Sequence, residues 1–107
     1  IELLLETLDF AEKIKDADLL ITGEGKSDRQ TLMGKVPSGI LQEARRQQIP
    51  VIQLAIAIED AGILNAAGFR GVFSITPSPA SLEQAMQPEF AQENIRRTVE
   101  QICRIFF

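Results

Sequence analysis

Leu20-Ile21-Thr22-Gly23-Glu24-Gly25-Lys26-Ser27-Asp28-Arg29-Gln30-Thr31-Leu32-Met33-Gly34-Lys35-Val36-Pro37-Ser38-Gly39 is the stretch that decides how this chain reads. An apolar run, Leu19-Leu20-Ile21, stops at Thr22. Beyond it come Gly23, Gly25 and Gly34, the lysines Lys26 and Lys35, the acids Glu24 and Asp28, and the amide Gln30. A helical pattern then starts near Pro37. The order predicts a strand, a loop and a helix, and open α/β proteins bind ligands in such loops at the carboxyl ends of strands.

The flanking sequence repeats the alternation. Residues 2–15 read as a helix, with Leu4, Leu5, Leu8, Ala11 and Ile14 at helical spacing, and Asp16 to Asp18 break it. Leu19-Leu20-Ile21 suits a strand buried on both faces, as in parallel sheets. From Pro37 to about Gln48 the pattern is helical again, with Pro37 in the first turn and Ile40, Leu41 and Ala44 on the buried side. Val51-Ile52-Gln53-Leu54-Ala55 is the second strand, and Gln53 is its one polar residue. Glu59 to Ala67 suits a short helix closed by Gly68. Gly71 to Ile75 is the third strand, and Thr76-Pro77-Ser78-Pro79 a stiff loop. Ser81 to Gln84 fits a capping box. Pro88 opens a last helix, with Ala91, Ile95, Thr98, Ile102 and Phe106 on one face.

Strands separated by helices imply a parallel sheet covered on both sides, a three-layer α/β/α domain of Rossmann-like or flavodoxin-like type. Three strands make a narrow sheet with open edges. The 107 residues suffice for one domain. The chain lacks an initiator Met, which with the narrow sheet suggests a segment of a longer protein. Ile1 to Glu6 has neither the basic region nor the cleavage site of a signal peptide. No apolar run approaches the ~20 residues a membrane span needs.

Composition removes several chemistries. The chain has no His, so Ser-His-Asp and Cys-His catalysis are excluded within it, along with the commonest transition-metal ligand. Cys103 reads as a small buried apolar residue in a reducing compartment. The net charge is −4, with no basic stripe and no Tyr or Trp to stack bases, which argues against nucleic-acid binding.

Within the loop each residue has two readings. Gly23 and Gly25 either make a tight turn out of the strand or let a ligand approach the backbone. Gly-Glu-Gly-Lys matches neither a Walker A loop nor the dinucleotide fingerprint. Lys26 and Lys35 are solvated lysines or neutralise phosphate or carboxylate. Asp28 is the best candidate for chemistry, holding Mg²⁺ or accepting a hydroxyl proton, and otherwise caps a turn. Gln30 and Thr31 position substrate hydroxyls or cap a short turn. The residues by themselves reach an anionic small-molecule site on a parallel α/β sheet.

Ala17-Asp18-Leu19-Leu20-Ile21-Thr22-Gly23-Glu24-Gly25-Lys26-Ser27-Asp28-Arg29-Gln30-Thr31, followed by Gly34-Lys35-Val36-Pro37-Ser38-Gly39, resembles the signature of the bacterial glycerate kinases of the type I family. That block reads roughly A-D-L-V-I-T-G-E-G-x-x-D-x-Q-T-x-x-G-K-x-P-x-G-V. Ile49-Pro50-Val51-Ile52, Gly68 to Ile75, Glu83-Gln84-Ala85-Met86 and Asn94-Ile95 resemble later parts of the same family. The resemblance covers most of residues 1–107 as a single α/β segment, the C-terminal part of a longer two-domain enzyme whose sheet starts upstream.

The resemblance implies ATP-dependent phosphorylation of D-glycerate to 2-phosphoglycerate, with Mg²⁺, in the cytoplasm. It places Gly23, Glu24, Gly25, Lys26, Gln30 and Thr31 at a substrate and nucleotide site. It gives Asp28 and Lys35 catalytic roles, Asp28 on metal or substrate hydroxyl and Lys35 on phosphate or the glycerate carboxylate. The segment alone is expected to be inactive, with the upstream part of the same chain as its partner. One departure stands out: the family has a small Ala-Gly-Ser-like turn after the second strand, and here Ile56-Ala57-Ile58 follows. Two other readings remain. One is a stand-alone Rossmann-like module that binds an anionic small molecule without catalysis. The other is an interaction domain whose open sheet edges pair with another chain, as in a homo-oligomer.

Overall fold

The computed structural model describes residues 9–77, 79 and 81–107, with all of their side chains except those of Lys35 and Leu82. Residues 2–8 of the expected opening helix lie outside that range. Its described remainder is the single turn α1 (Phe10–Lys13). Asp16 then takes a left-handed conformation with φ 66°, which ends the helical run where the acidic residues were expected to break it.

The order that follows is β1 (Leu20–Ser27), a 3₁₀ turn (Arg29–Met33), α2 (Lys35–Gln47), β2 (Val51–Ile58), α3 (Ala61–Ala67), β3 (Phe69–Ser74), α4 (Leu82–Ala85) and α5 (Pro88–Phe106). The three described strands are parallel in the order β1-β2-β3, as alternating strands and helices require. Helices cover both faces. On one, α2 and α3 close a cluster of Leu41, Ala44, Ile49, Val51, Leu64 and Phe69. On the other, Ile102 of α5 packs with Ile52, Leu54 and Ile75.

Both β1 and β2 run longer than the hydropathy pattern predicts. Gly23 to Ser27 were expected to be loop, yet they continue β1, with Gly23 opposite Leu54, Glu24 opposite Ala55 and Ser27 opposite Ile58. Cross-strand pairing overrides the poor strand propensity of glycine. β2 likewise continues through Ile56-Ala57-Ile58, where the family resemblance put a turn. Ile56 packs on the α5 face of the sheet, so its side chain is used as core. β1 is only half buried, not buried on both faces, because it lies at the edge of the described sheet. The continuous burial belongs to Val51–Ala55 of the central strand.

The caps follow local chemistry. Gly68 closes α3 with φ 134°, a conformation that L side chains rarely adopt. The Gln84 N–H donates to Ser81 Oγ at 3.1 Å, the first half of the expected capping box. Pro88 is the first residue of α5. The inner side of α5 holds Ile102 buried and Ala91 and Thr98 half-buried, as expected, but it takes in Asn94 rather than Ile95, which is 43% exposed, and Phe106 is exposed. On the outer side of α5, hydrogen bonding from Arg96 holds the Glu93 carboxyl below its ordinary range. No helix among the described residues is long and apolar enough to cross a membrane.

Candidate functional site

The carboxyl ends of all three strands open on one edge of the sheet, the edge where doubly wound α/β proteins place ligands. Ser27 ends β1, and the chain turns at Asp28. The Asp28 backbone is extended, as suits an N-cap, and its Oδ1 accepts from the Gln30 N–H at 2.8 Å. The Thr31 N–H bonds the Asp28 carbonyl at 3.0 Å. Thr31 Oγ1 accepts the Asp28 N–H at 3.2 Å and donates to Glu24 Oε2 at 2.9 Å. One hydroxyl therefore joins the turn to the strand before it. Thr31 is buried, with 6% exposure.

This geometry separates the readings of the loop residues. Asp28 does cap a turn, but the cap occupies Oδ1 and leaves Oδ2 facing Lys26 Nζ at 3.9 Å, with 17% of the side chain exposed. Gln30 and Thr31 both serve the turn, Gln30 through its backbone and Thr31 through its hydroxyl. Gln30 itself is exposed. Gly23 and Gly25 make no tight turn. Both lie in β1, and Gly68 is the one described glycine with positive φ. Gly25 is exposed, and a Cβ built on it would meet nothing within 4 Å.

Residues following β2 join the corner. Lys26 Nζ lies 3.7 Å from Glu59 Oε1, and the Glu59 N–H donates to the Ser27 carbonyl at 2.7 Å. Arg29 Nε lies 3.4 Å from Asp60 Oδ2. Lys26 and Arg29 are thus each paired with carboxylates, in contacts exposed enough to be weak. Glu24, Asp28, Glu59 and Asp60 outnumber these two cations. The described side chains of this corner therefore carry more negative than positive charge. Lys35 is the first residue of α2, and its side chain is outside the described set. Gly34 at the N-cap supplies no side-chain partner to the first amides of that helix.

Sequence reasoning passed over the layer beneath this corner. Gln53, only 2% exposed in the middle of β2, accepts from Thr22 Oγ1 and donates through Nε2 to Ser27 Oγ at 3.0 Å. Its signal was in plain view, as the one amide in an apolar strand. Glu59 and Asp60 had no such signal, because only the sheet brings them next to Lys26 and Arg29.

A model described as the glycerate kinase family matches residues 1–107. The chain is 41% identical over 104 residues to a glycerate kinase of Bacillus subtilis, covering 96% of this chain and 27% of that protein. It is 39% identical over 107 residues to one of Bacillus cereus, with 99% and 28% covered. It is 37% identical over 104 residues to a glycerate 2-kinase of Escherichia coli, with 96% and 27% covered. A crystal structure of a glycerate kinase 2 from Salmonella typhimurium superposes with a TM-score of 0.66 at 38% identity, covering 97% of this chain and 26% of that one. The chain therefore spans about a quarter of the length of the relatives it matches. A match over every residue, on a fold that superposes on a solved relative, decides the affiliation: this chain belongs to the glycerate kinase family.

Proposed function

We propose that these residues form the C-terminal part of an ATP-dependent kinase that transfers the γ-phosphoryl group to D-glycerate in the cytoplasm, giving 2-phosphoglycerate. The observation that carries the reading is the Asp28 carboxylate. It stands at the carboxyl end of the sheet, fixed through Oδ1, with Oδ2 turned toward the charged corner and open backbone at Gly25 nearby.

In this reading Asp28 accepts the proton of the glycerate hydroxyl as its oxygen bonds to the γ-phosphorus and the bond to ADP breaks. Glu24, held by Thr31, stands beside it. Lys35 neutralises the phosphate or the glycerate carboxylate, and the uncapped first turn of α2 adds backbone N–H donors. Lys26, Gln30 and the glycine backbone line the approach. The carboxylate oxygens suit Mg²⁺, a hard cation that binds through one or two protein carboxylates plus substrate phosphates. In its alternative role Asp28 Oδ2 would hold the ion instead of taking the proton, and the ion would supply neutralisation of phosphate charge.

The 107-residue segment alone is inactive in this reading, since it is about a quarter of the relatives' length. The test is glycerate-dependent ADP formation by the full-length protein, with and without Asp28→Asn. Asn retains the cap, so folding stays intact while turnover falls on the order of 10²–10⁴-fold. A full-length protein that binds nucleotide without glycerate-dependent turnover would point instead to a binding module.

A further inference from the structure

We propose that Gln53 is a positioning residue for the Glu24–Asp28 corner: its buried carboxamide ties Thr22 to Ser27 and so fixes the strand segment that presents Glu24 and delivers Asp28. This rests on the reading of that corner as the site of phosphoryl transfer.

Gln53 sits in the most buried run of the molecule, between Val51, Ile52, Leu54 and Ala55. An amide there loses its hydration, a cost that is offset only where its ends find partners. Both do. The carbonyl end takes the hydroxyl of Thr22, its direct neighbour across the ladder, and the amino end donates to Ser27 Oγ at 3.0 Å. Ser27 is completely buried and lies opposite Ile58, five positions further along β2 than Gln53. One side chain therefore spans the two ends of Thr22–Ser27, and what lies between is Gly23-Glu24-Gly25-Lys26.

Two of those four residues are glycines, with no side chain to pack and the largest backbone entropy to lose. The segment also lies on the edge of the described sheet, with β2 as its one described ladder partner. An apolar side chain at position 53 would bury as readily, without the cost of a buried amide, but would leave this segment untied. Ser27 is secured a second time by its carbonyl, which accepts from the Glu59 N–H at 2.7 Å. Asp28 is the next residue. A shift of Ser27 is passed to the Asp28 carboxylate through one peptide bond, and misplacement of a reacting group by about 1 Å can cost on the order of 10²-fold in rate.

The experiment uses the full-length protein in three variants, Gln53→Met, Ser27→Ala and the two combined. Each is read by urea unfolding, by amide hydrogen exchange over residues 23–28, and by glycerate-dependent ADP formation. Gln53→Met alone orphans the buried Ser27 hydroxyl, so stability falls, exchange over 23–28 rises at least about tenfold, and kcat drops about 10- to 100-fold with KM little changed. The double variant removes both partners, so stability returns toward wild type while exchange and kcat stay altered. Recovery of all three together would overturn the proposal and leave Gln53 a packing residue. So would unchanged exchange over 23–28 in Gln53→Met. If the wild-type protein forms no ADP with glycerate, the kinase reading fails, and the exchange data alone decide whether Gln53 holds the segment.

Discussion

Two corners of this sheet treat buried polar groups in opposite ways. At the end of β1, Thr31 and Ser27 are buried and each polar atom has a named partner: Glu24 and Asp28 for Thr31, Gln53 for Ser27. At the end of β3, a cavity of about 260 Å³ lies against α5, lined chiefly by Phe73, Ile75, Pro77, Ile102 and Ile105. Asn94 borders it, is 2% exposed, and has no partner for either its Nδ2 or its Oδ1 among the described residues. The first corner is a satisfied network, the second a buried amide with no partner among the described residues. Satisfied networks hold functional side chains in one geometry, whereas an unsatisfied group costs stability without fixing anything.

Mutations that delete polarity at the two corners should therefore have opposite signs. Thr31→Val keeps the shape but strands the Asp28 N–H and removes a bond to Glu24. We expect a loss of about 1–3 kcal/mol in urea unfolding, with a fall in kcat of the full-length protein. A variant as stable as wild type would show that the 3₁₀ turn does not depend on this hydroxyl. Asn94→Leu is the counterpart. It removes two unpartnered atoms and adds apolar volume beside an apolar cavity, so stability should hold or rise by about 1–2 kcal/mol. A loss of similar size would mean that the amide has a partner after all, and the comparison between the corners would collapse.

The same contrast explains what was legible in the sequence. The alternation of apolar strands with helices gave the parallel sheet, because each element's burial follows from its own periodicity. The boundaries of β1 and β2 were not readable. Whether Gly23-Glu24-Gly25 is loop or strand depends on Leu54 and Ala55 lying across from it, and nothing local to the glycines reports that pairing. On α5, Ala91, Thr98 and Ile102 lie inward as the pattern predicts, but Ile95 does not, for a related reason. Ile95 is apolar and Asn94 polar, so hydropathy turns the helix toward Ile95, while packing against the sheet turns it toward Asn94. In the site, Glu24, Asp28 and Thr31 fell within one short motif and were found together. Glu59, Asp60 and the tie through Gln53 come from β2 and its end, and only the fold brings them in.

Gly25 gives the smallest expected effect on stability and the sharpest separation of stability from function. Its backbone does not need positive φ, and an added Cβ would meet no heavy atom within 4 Å. Gly25→Ala should therefore leave folding unchanged or raise stability by about 0.4–1 kcal/mol, through loss of freedom in the unfolded chain. Gly68→Ala is the internal control, since at φ 134° any side chain is strained and the protein should lose stability. If the space beside Gly25 is where substrate or nucleotide approaches the strand, the Ala variant of the full-length protein should keep its unfolding midpoint and show a raised KM for one of the two substrates. A variant with wild-type KM for both would remove Gly25 from the site and leave Asp28, Glu24 and Lys35 to define it. A variant that unfolds more easily would instead show that the open space is filled in solution, and that the glycine is there for packing.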